Sequence, residues 1–483
     1  MISRYLHTLK YLKWLQLVFL LARRFKLKKF LLKRIDANCL HSVKQFYPST
    51  IARSSFNGLN LQYSFEDVLN GAVEQKLYLY NFFYMNDYND KQYLFLHAQC
   101  YKTKSIFLEP YPTSLRIVNV LYYSSLKNRE VVNYLAKDLE LLSLSIEYEL
   151  DGNHLLENLL ALSLYEVVIG RQGRFTREFA RQLENQFIDF EWHFEQSPMY
   201  QAILLERIQC YLAIATSVHV EDTAIIELCG KIVTKGVAYL QLFHVRGIML
   251  HFNDSTGGNS LSVQDLVNNN RLLNLTATEP THPSKLLKNG FARMEGPGYE
   301  LVVDTSKILA DHIPGHIHSA TGTFWLFRDQ KPFIINNAIS TYQEGDIRNL
   351  ERGSSFHNCI APRTEFNEVW GCFRVGRRVS SEIDQGEGWV VLRAKLLTGE
   401  SYSRTFTLDE RLIITDMLQN CGEEVTAYLY FDESVSPELI TKHVHSSNIY
   451  CIDAGNVPIE YHKSVPAHFI YYKFKDSNIV TIQ

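Results

Sequence analysis

The residues best suited to chemistry crowd into positions 315–360. This stretch opens with Gly315-His316-Ile317-His318 and closes with Phe356-His357-Asn358-Cys359. On an extended chain His316 and His318 share a face, because side chains alternate with period two. Two strand-like runs, 323–327 and 333–336, are joined by the polar turn Arg328-Asp329-Gln330-Lys331. Such a pair, with a return segment, brings His357 and Asn358 back beside the first two histidines. Three imidazoles and an amide within reach of one another suit a metal, a proton relay, or both.

The rest of the chain must position that stretch. At 483 residues it is long enough for two or three cores. A net charge of −3 gives no general argument for nucleic-acid binding, and 21% charged residues are those of an ordinary globular protein. The eight cysteines are scattered with no Cys-x-x-Cys pair, which removes the zinc-ribbon and thioredoxin-like readings and suits free thiols.

Residues 1–50 form a basic N-terminal segment. Its first 35 residues hold ten Lys or Arg and no acid, around the apolar run Trp14-Leu15-Gln16-Leu17-Val18-Phe19-Leu20-Leu21-Ala22. That run is too short to span a bilayer, and Arg23-Arg24 stand where a signal peptide would carry small residues. The pattern predicts a basic amphipathic helix, lying on a membrane face or on the body of the protein. Cytoplasmic or inner-membrane placement is the first expectation, the periplasm or cell envelope the second.

Residues 51–277 read as helical. Leu135, Leu139, Leu142 and Ile146 recur at i, i+4, i+7 and i+11, and Phe179, Leu183 and Phe187 continue in steps of four. Successive helices with short joints suggest hairpins of a bundle, solenoid or α/α toroid. Composition shifts to Asn, Thr, Pro and Lys over 268–289, which reads as a linker. From 278 to 483 the period becomes two, with strands expected at 299–304, 323–327, 333–336, 389–392, 403–408, 411–417, 426–431, 449–452 and 468–474. Many short strands with polar turns predict an antiparallel sandwich or barrel. The fold class is therefore α then β, with a cleft between the domains as the natural place for a long substrate.

With this layout the chain resembles the heparinase II/III family of polysaccharide lyases. The resemblance rests on several segments in order over about residues 75–420. They are Leu77-Tyr78-Leu79-Tyr80-Asn81-Phe82-Phe83-Tyr84, Ser114-Leu115-Arg116-Ile117-Val118-Asn119 and Gly152-Asn153-His154-Leu155-Leu156-Glu157-Asn158. Glu195-Gln196-Ser197-Pro198-Met199-Tyr200, the Gly-His-x-His at 315–318 and His357-Asn358 complete the set. The resemblance implies an α/α toroid packed on an antiparallel β-sandwich, and cleavage of a uronic-acid polysaccharide by β-elimination. That reaction needs a neutraliser for the uronate carboxylate, a base for the adjacent proton and an acid for the leaving oxygen.

By resemblance Asn153 neutralises the carboxylate, with Asn358 assisting, and Tyr200 shuttles the proton as base, acid or both. His154 and His316 supply charge or share the proton. Glu157, three residues after His154, is placed to orient its ring from the same helix face. Arg116, Arg348 and Arg352 are candidates to contact acidic sugar groups. The resemblance also implies a structural metal, often zinc, at His318, Asn336 and His357, and no organic cofactor. Asn336 stands where the family has Asp, and a neutral amide is a poorer zinc ligand. Ala320 and Gln201 are two further departures, from Asp and His. The competing readings are a relative that serves capsule or O-antigen assembly and a glycan-binding scaffold. Both keep an acidic saccharide as partner.

Overall fold

The structure is a computed structural model that describes residues 2–54, 90–103, 106–123, 126–171, 173–218, 223–275, 288–305 and 307–483. The aromatic run 77–84 lies outside the described residues.

Three helices open the chain, α1 (Ile2–Leu9), α2 (Trp14–Arg24) and α3 (Lys28–Leu31). Gln16, Phe19 and Ala22, spaced by three, form the buried stripe of α2. The Phe19 ring meets Tyr148 at 4.7 Å, and Gln16 Nε2 donates to the His312 carbonyl at 3.5 Å. Basic side chains tie the segment down on both halves of the molecule: Lys13 to Asp151 at 3.1 Å, Lys28 to Glu149 at 2.5 Å and Arg4 to Glu368 at 3.2 Å. The segment therefore rests on the protein's own body.

The helical part follows as α4 (Asp90–Thr103), α5 (Pro110–Tyr123), α6 (Arg129–Ser143), α7 (Gly152–Val168), α8 (Arg174–Gln186), α9 (Pro198–Ala215), α10 (Ala224–Leu240) and α11 (Val263–Leu272). Leu135, Leu139, Leu142 and Ile146 are all fully buried, as their spacing requires. Helices α7 and α9 are buried on nearly every side, because α5, α8 and α10 pack around them. This is why neither shows a clear polar stripe. Helix α11 corrects the expected linker. Ser262 caps it by accepting from the Asp265 N–H at 3.1 Å, so residues 268–272 are helical despite their asparagines.

Two short hairpins, β1 (Phe187–Ile188) with β2 (Trp192–His193) and β3 (His244–Val245) with β4 (Ile248–Met249), interrupt the helices. The strand-rich part begins with an antiparallel sheet of β5 (Phe291–Gly296), β6 (Tyr299–Asp304), β7 (Phe324–Arg328) and β8 (Lys331–Ile334). Helix α12 (Asp346–Arg352), strand β9 (Ile360–Ala361) and the pair β10 (Val369–Trp370) and β11 (Arg374–Val375) follow. Next come β12 (Ser380–Gly386), β13 (Trp389–Lys395), β14 (Ser401–Leu408), β15 (Leu412–Gln419) and β16 (Val425–Tyr430). Helix α13 (Pro437–His443) precedes β17 (Val444–Ser446), β18 (Tyr450–Glu460), β19 (Lys463–Phe474) and β20 (Ser477–Ile482).

These strands form a six-stranded sheet, β12-β13-β14-β15-β20-β17, and a four-stranded sheet, β18-β19-β16-β9. Strand alternation explains how the layers share side chains. On β6 and β7, Leu301, Val303, Phe324 and Leu326 enter the core between the sheets, whereas Val302, Trp325 and Phe327 join the core of the helical part. One sheet thus has an apolar partner on each face, and the helices and the sandwich meet along it.

Candidate active site

The site is built where two helix starts meet the loop that carries the paired histidines. At the start of α7, Asp151 and Gly152 both take positive φ, +58° and +54°. A Cβ on Gly152 would come within 2.1 Å of Glu195 Oε1 and 2.7 Å of Ile313 Cδ1, so glycine alone fits. Left-handed Asp151 costs on the order of 1 kcal/mol. Lys13 at 3.1 Å and His312 Nε2 at 3.2 Å hold its carboxylate in place. The strained turn delivers the Asn153 N–H to Glu195 Oε1 at 3.1 Å. The Asn153 amide itself has no hydrogen-bond partner among the described residues.

At the start of α9, Ser197 does two jobs. Its Oγ caps the helix by accepting from the Tyr200 N–H at 3.3 Å, and it donates to the Asp254 carbonyl at 2.6 Å. Pro198 at the first turn fixes the entry angle. Tyr200 therefore projects beside the 253–254 turn. Its ring lies over the His316 ring, 4.0 Å between centroids, and its hydroxyl donates to Tyr342 Oη at 2.9 Å. Burial first, then Tyr342 and Tyr111, raise the Tyr200 phenol well above its usual pKa, so it stays protonated.

Asp254 is the centre of the arrangement. Oδ1 accepts from His318 Nε2 at 2.8 Å and Arg348 Nη1 at 2.6 Å; Oδ2 accepts from His316 Nδ1 at 2.8 Å and Arg348 Nη2 at 2.7 Å. Burial favours the neutral acid, but Arg348 and the two imidazole donors outweigh it and hold the carboxyl well below the usual range. An ionised carboxylate only accepts, so His316 presents Nδ1–H to it and turns Nε2 away from it. There Nε2 lies 3.7 Å from Glu195 Oε2, an atom with no hydrogen-bond partner among the described residues. Glu195 is buried and its pKa is raised, by burial above all. His154 sits at the same helix start against the Tyr111 ring at 4.6 Å. Burial opposes its charge, but Glu147, 3.2 Å from Nδ1, together with Glu195 and Glu109, raises its pKa.

Residues 278–451 match the family model described as heparinase II/III-like, C-terminal. Over that region the chain is similar to the C-terminal part of heparinase II/III-like proteins. Among solved structures, heparinase III superposes with a TM-score of 0.60 at 15% identity, covering 92% of this chain and 84% of that one. The heparan sulfate lyase of Pedobacter heparinus gives 0.53 at 13%, covering 85% and 77%. A search of curated proteins finds no match. At these identities the likeness carries the fold, helical part and sandwich together, and the neighbours are polysaccharide lyases.

Several expected site residues fall elsewhere. His316 and His318 do meet on one partner, Asp254, but from a loop in which Arg352 Nη2 donates to the Ile317 carbonyl at 3.1 Å, not from a strand. Asn358 is fully buried. Its Nδ2 donates to the Phe324 and Ile335 carbonyls, both at 2.8 Å, and its Oδ1 accepts from Tyr430 N–H at 2.7 Å, which leaves nothing for substrate. Arg348 is spent on Asp254. Arg352 serves loop carbonyls, with burial lowering its pKa to about 9. Arg116 pairs with Asp138 at 2.8 and 3.0 Å inside the helices. All three arginines are positioning groups, not surface sugar contacts. Gln201 accepts from His193 N–H at 2.9 Å and donates to the Glu191 carbonyl at 2.8 Å, a structural role, and Ala320 is buried. Asp254 and Tyr342 carry no motif in the sequence, and Glu195 opens the Glu-Gln-Ser-Pro-Met-Tyr segment without being distinguished from its neighbours there. The polar run Asn253-Asp254-Ser255-Thr256 is the only local hint.

The histidines expected to hold a metal are close, His318 Nδ1 lying 3.2 Å from His357 Nε2. The remaining donors do not fit. Asn336 Oδ1 meets His357 at Nδ1, on the opposite side of the ring, and it also accepts from Thr323 Oγ1 at 2.7 Å. Asp254 likewise meets His318 from the far side. Cys359 donates to the Ser354 carbonyl at 3.3 Å. Among the described residues no group of three His, Cys, Asp or Glu is placed to hold a metal ion.

Glu157 does not orient His154, which has Glu147 instead. It lies 3.5 Å from Arg207 Nε in the helical core. Burial raises its pKa to about 7, with Glu206 adding to the effect and Arg207 opposing it. A raised carboxyl favours the fold when protonated, and that contribution is lost as pH climbs from about 4.3 through 7. Glu157→Gln removes the titration. Between pH 4.5 and 7 the stability difference should therefore move about 3 kcal/mol in favour of the variant. Denaturant unfolding at both pH values measures it, and a pH-independent difference would place the proton elsewhere.

Proposed function

We propose that the chain is a polysaccharide lyase that cleaves a uronic-acid polymer by β-elimination at the junction of the helices and the sandwich. The observation that carries this is the Asp254–His316 pair lying against the Tyr200 ring, with Glu195 linking His316 to the backbone N–H of Asn153, whose side-chain amide has no partner among the described residues. The uronate carboxylate is received by the Asn153 amide, with the His154 cation beside it. Neutralising that charge makes the adjacent C5–H acidic enough to lose.

His316 Nε2, its other nitrogen anchored on Asp254, takes the C5 proton. The C4–O4 bond breaks as the C4–C5 double bond forms, and the Tyr200 hydroxyl gives its proton to the departing oxygen. A phenol held protonated by burial suits the acid role better than the base role. Return of the proton from the His316 imidazolium to the phenolate resets the site.

Incubation of the purified protein with a panel of uronic-acid polymers, followed by the ultraviolet absorbance of the conjugated product, tests this reading. Asn153→Ala should lower the rate about 100-fold, the usual cost of one lost donor to a developing anion. A folded wild-type protein that produces no unsaturated product from any polymer would refute it and favour the assembly or scaffold readings.

A further inference from the structure

The N-terminal segment has an outer face that its packing role does not explain. Gln16, Phe19 and Ala22 face the protein. Trp14, Leu21 and Phe25 follow at i, i+7 and i+11, Phe25 just past the end of α2, so they form a different stripe, and it is apolar. Trp14 is 78% exposed and Phe25 67%. Beyond the helix Leu27, Phe30 and Leu31 are exposed as well, Phe30 to 73%. A helix lying on a soluble surface ordinarily turns its polar side to water, and here the outward side is the greasy one.

The charges divide in the same way. Lys13, Arg23, Lys28 and Arg34 reach acids of the protein body. Arg24, Lys26, Lys29 and Lys33 have no acidic partner among the described residues, and all are exposed. The first 35 residues contain no acid at all. An exposed aromatic and aliphatic stripe flanked by unpaired cations complements a bilayer whose surface is negative and whose interior accepts Trp, Phe and Leu. No helix among the described residues is long and apolar enough to cross a membrane.

We infer that this face is a peripheral docking surface for anionic lipid. Trp14, Leu21, Phe25, Phe30 and Leu31 insert at the headgroup boundary, and Arg24, Lys26, Lys29 and Lys33 meet the lipid phosphates. The segment also reaches the candidate active site through the Lys13–Asp151 pair, so docking holds that site near the membrane surface.

The full-length protein is mixed with vesicles of phosphatidylcholine alone, or with about a quarter phosphatidylglycerol, and sedimented at low and high salt. The expected result is binding to the anionic vesicles, weakened by salt, with a blue shift of Trp14 fluorescence that Trp14→Phe abolishes. Reversing three charges with Arg24→Glu, Lys26→Glu and Lys29→Glu should lower the partition by about 100-fold or more, at roughly 1 kcal/mol for each basic residue. Phe25→Ser with Phe30→Ser should weaken binding without changing the circular dichroism, because neither ring is buried. Equal binding to neutral vesicles, or none to either, would overturn the proposal. So would self-association that the two serine substitutions abolish, because the stripe would then belong to a second copy.

Discussion

Tyr200→Phe is expected to lower kcat on a uronic-acid polymer by about 1000-fold while leaving KM within a few-fold and the fold intact. The change deletes one oxygen. The phenylalanine ring still stacks on His316, and the α9 cap is untouched, because Ser197 bonds the backbone N–H of residue 200. What disappears is the proton for the leaving oxygen, and general acid–base catalysis contributes roughly 10²–10⁴-fold. Tyr342→Phe is the control. Its hydroxyl accepts from Tyr200 at 2.9 Å, so its loss should disturb the acid's orientation and cost much less. A Tyr200→Phe enzyme retaining more than a tenth of wild-type kcat would remove the phenol from the chemistry and leave His316 to serve both steps. Steady-state kinetics with circular dichroism on the same preparations separates these outcomes.

Much of the architecture was legible because periodicity reports burial directly. The steps of four and three at Leu135, Leu139 and Leu142 end fully buried in α6, and the expected strand 299–304 coincides with β6. The linker expectation failed over 268–272, because asparagine-rich composition outweighed a Ser262 cap that needs only one oxygen and one N–H. β12 and β20 were not expected. β12 is mostly exposed, so it lacks the alternation that betrays a half-buried strand, whereas β20 does alternate, with Asn478, Val480 and Ile482 buried.

The site was legible only in part. Motif residues Asn153, Tyr200 and His316 converge, but burial assigns roles that residue type does not reveal. Asn358 and Arg348 are as capable of binding a sugar as any amide or guanidinium until the backbone carbonyls and the carboxylate that consume them are seen. Asp254 was missed for the complementary reason. A carboxylate in a polar loop looks like a solvated one until a topology brings two histidines and an arginine to it.

Asp254→Asn should be the most damaging single change in the molecule. The carboxylate accepts four hydrogen bonds, and it balances an Arg348 guanidinium that is 1% exposed. An amide can accept on one oxygen only; its NH₂ then confronts an Arg348 N–H together with either His316 Nδ1–H or His318 Nε2–H, donor against donor. Breaking one partner of a buried ion pair costs about 3–5 kcal/mol, and the melting temperature should fall by roughly 10 °C. Activity should fall by about 10⁴-fold even at temperatures where the variant is folded, because His316 loses the partner that fixes its tautomer.

A second substitution separates the two effects. Adding Arg348→Leu to Asp254→Asn removes the stranded guanidinium, and part of the lost stability should return. The rate should not return, since His316 still lacks a charged acceptor at Nδ1. Recovery of both together would mean that Asp254 acts on catalysis only by holding the fold. Loss of neither in Asp254→Asn would mean that the carboxylate is dispensable to both. Recovery of stability alone would leave Asp254 with a charge-balancing role toward Arg348 and a separate positioning role toward His316.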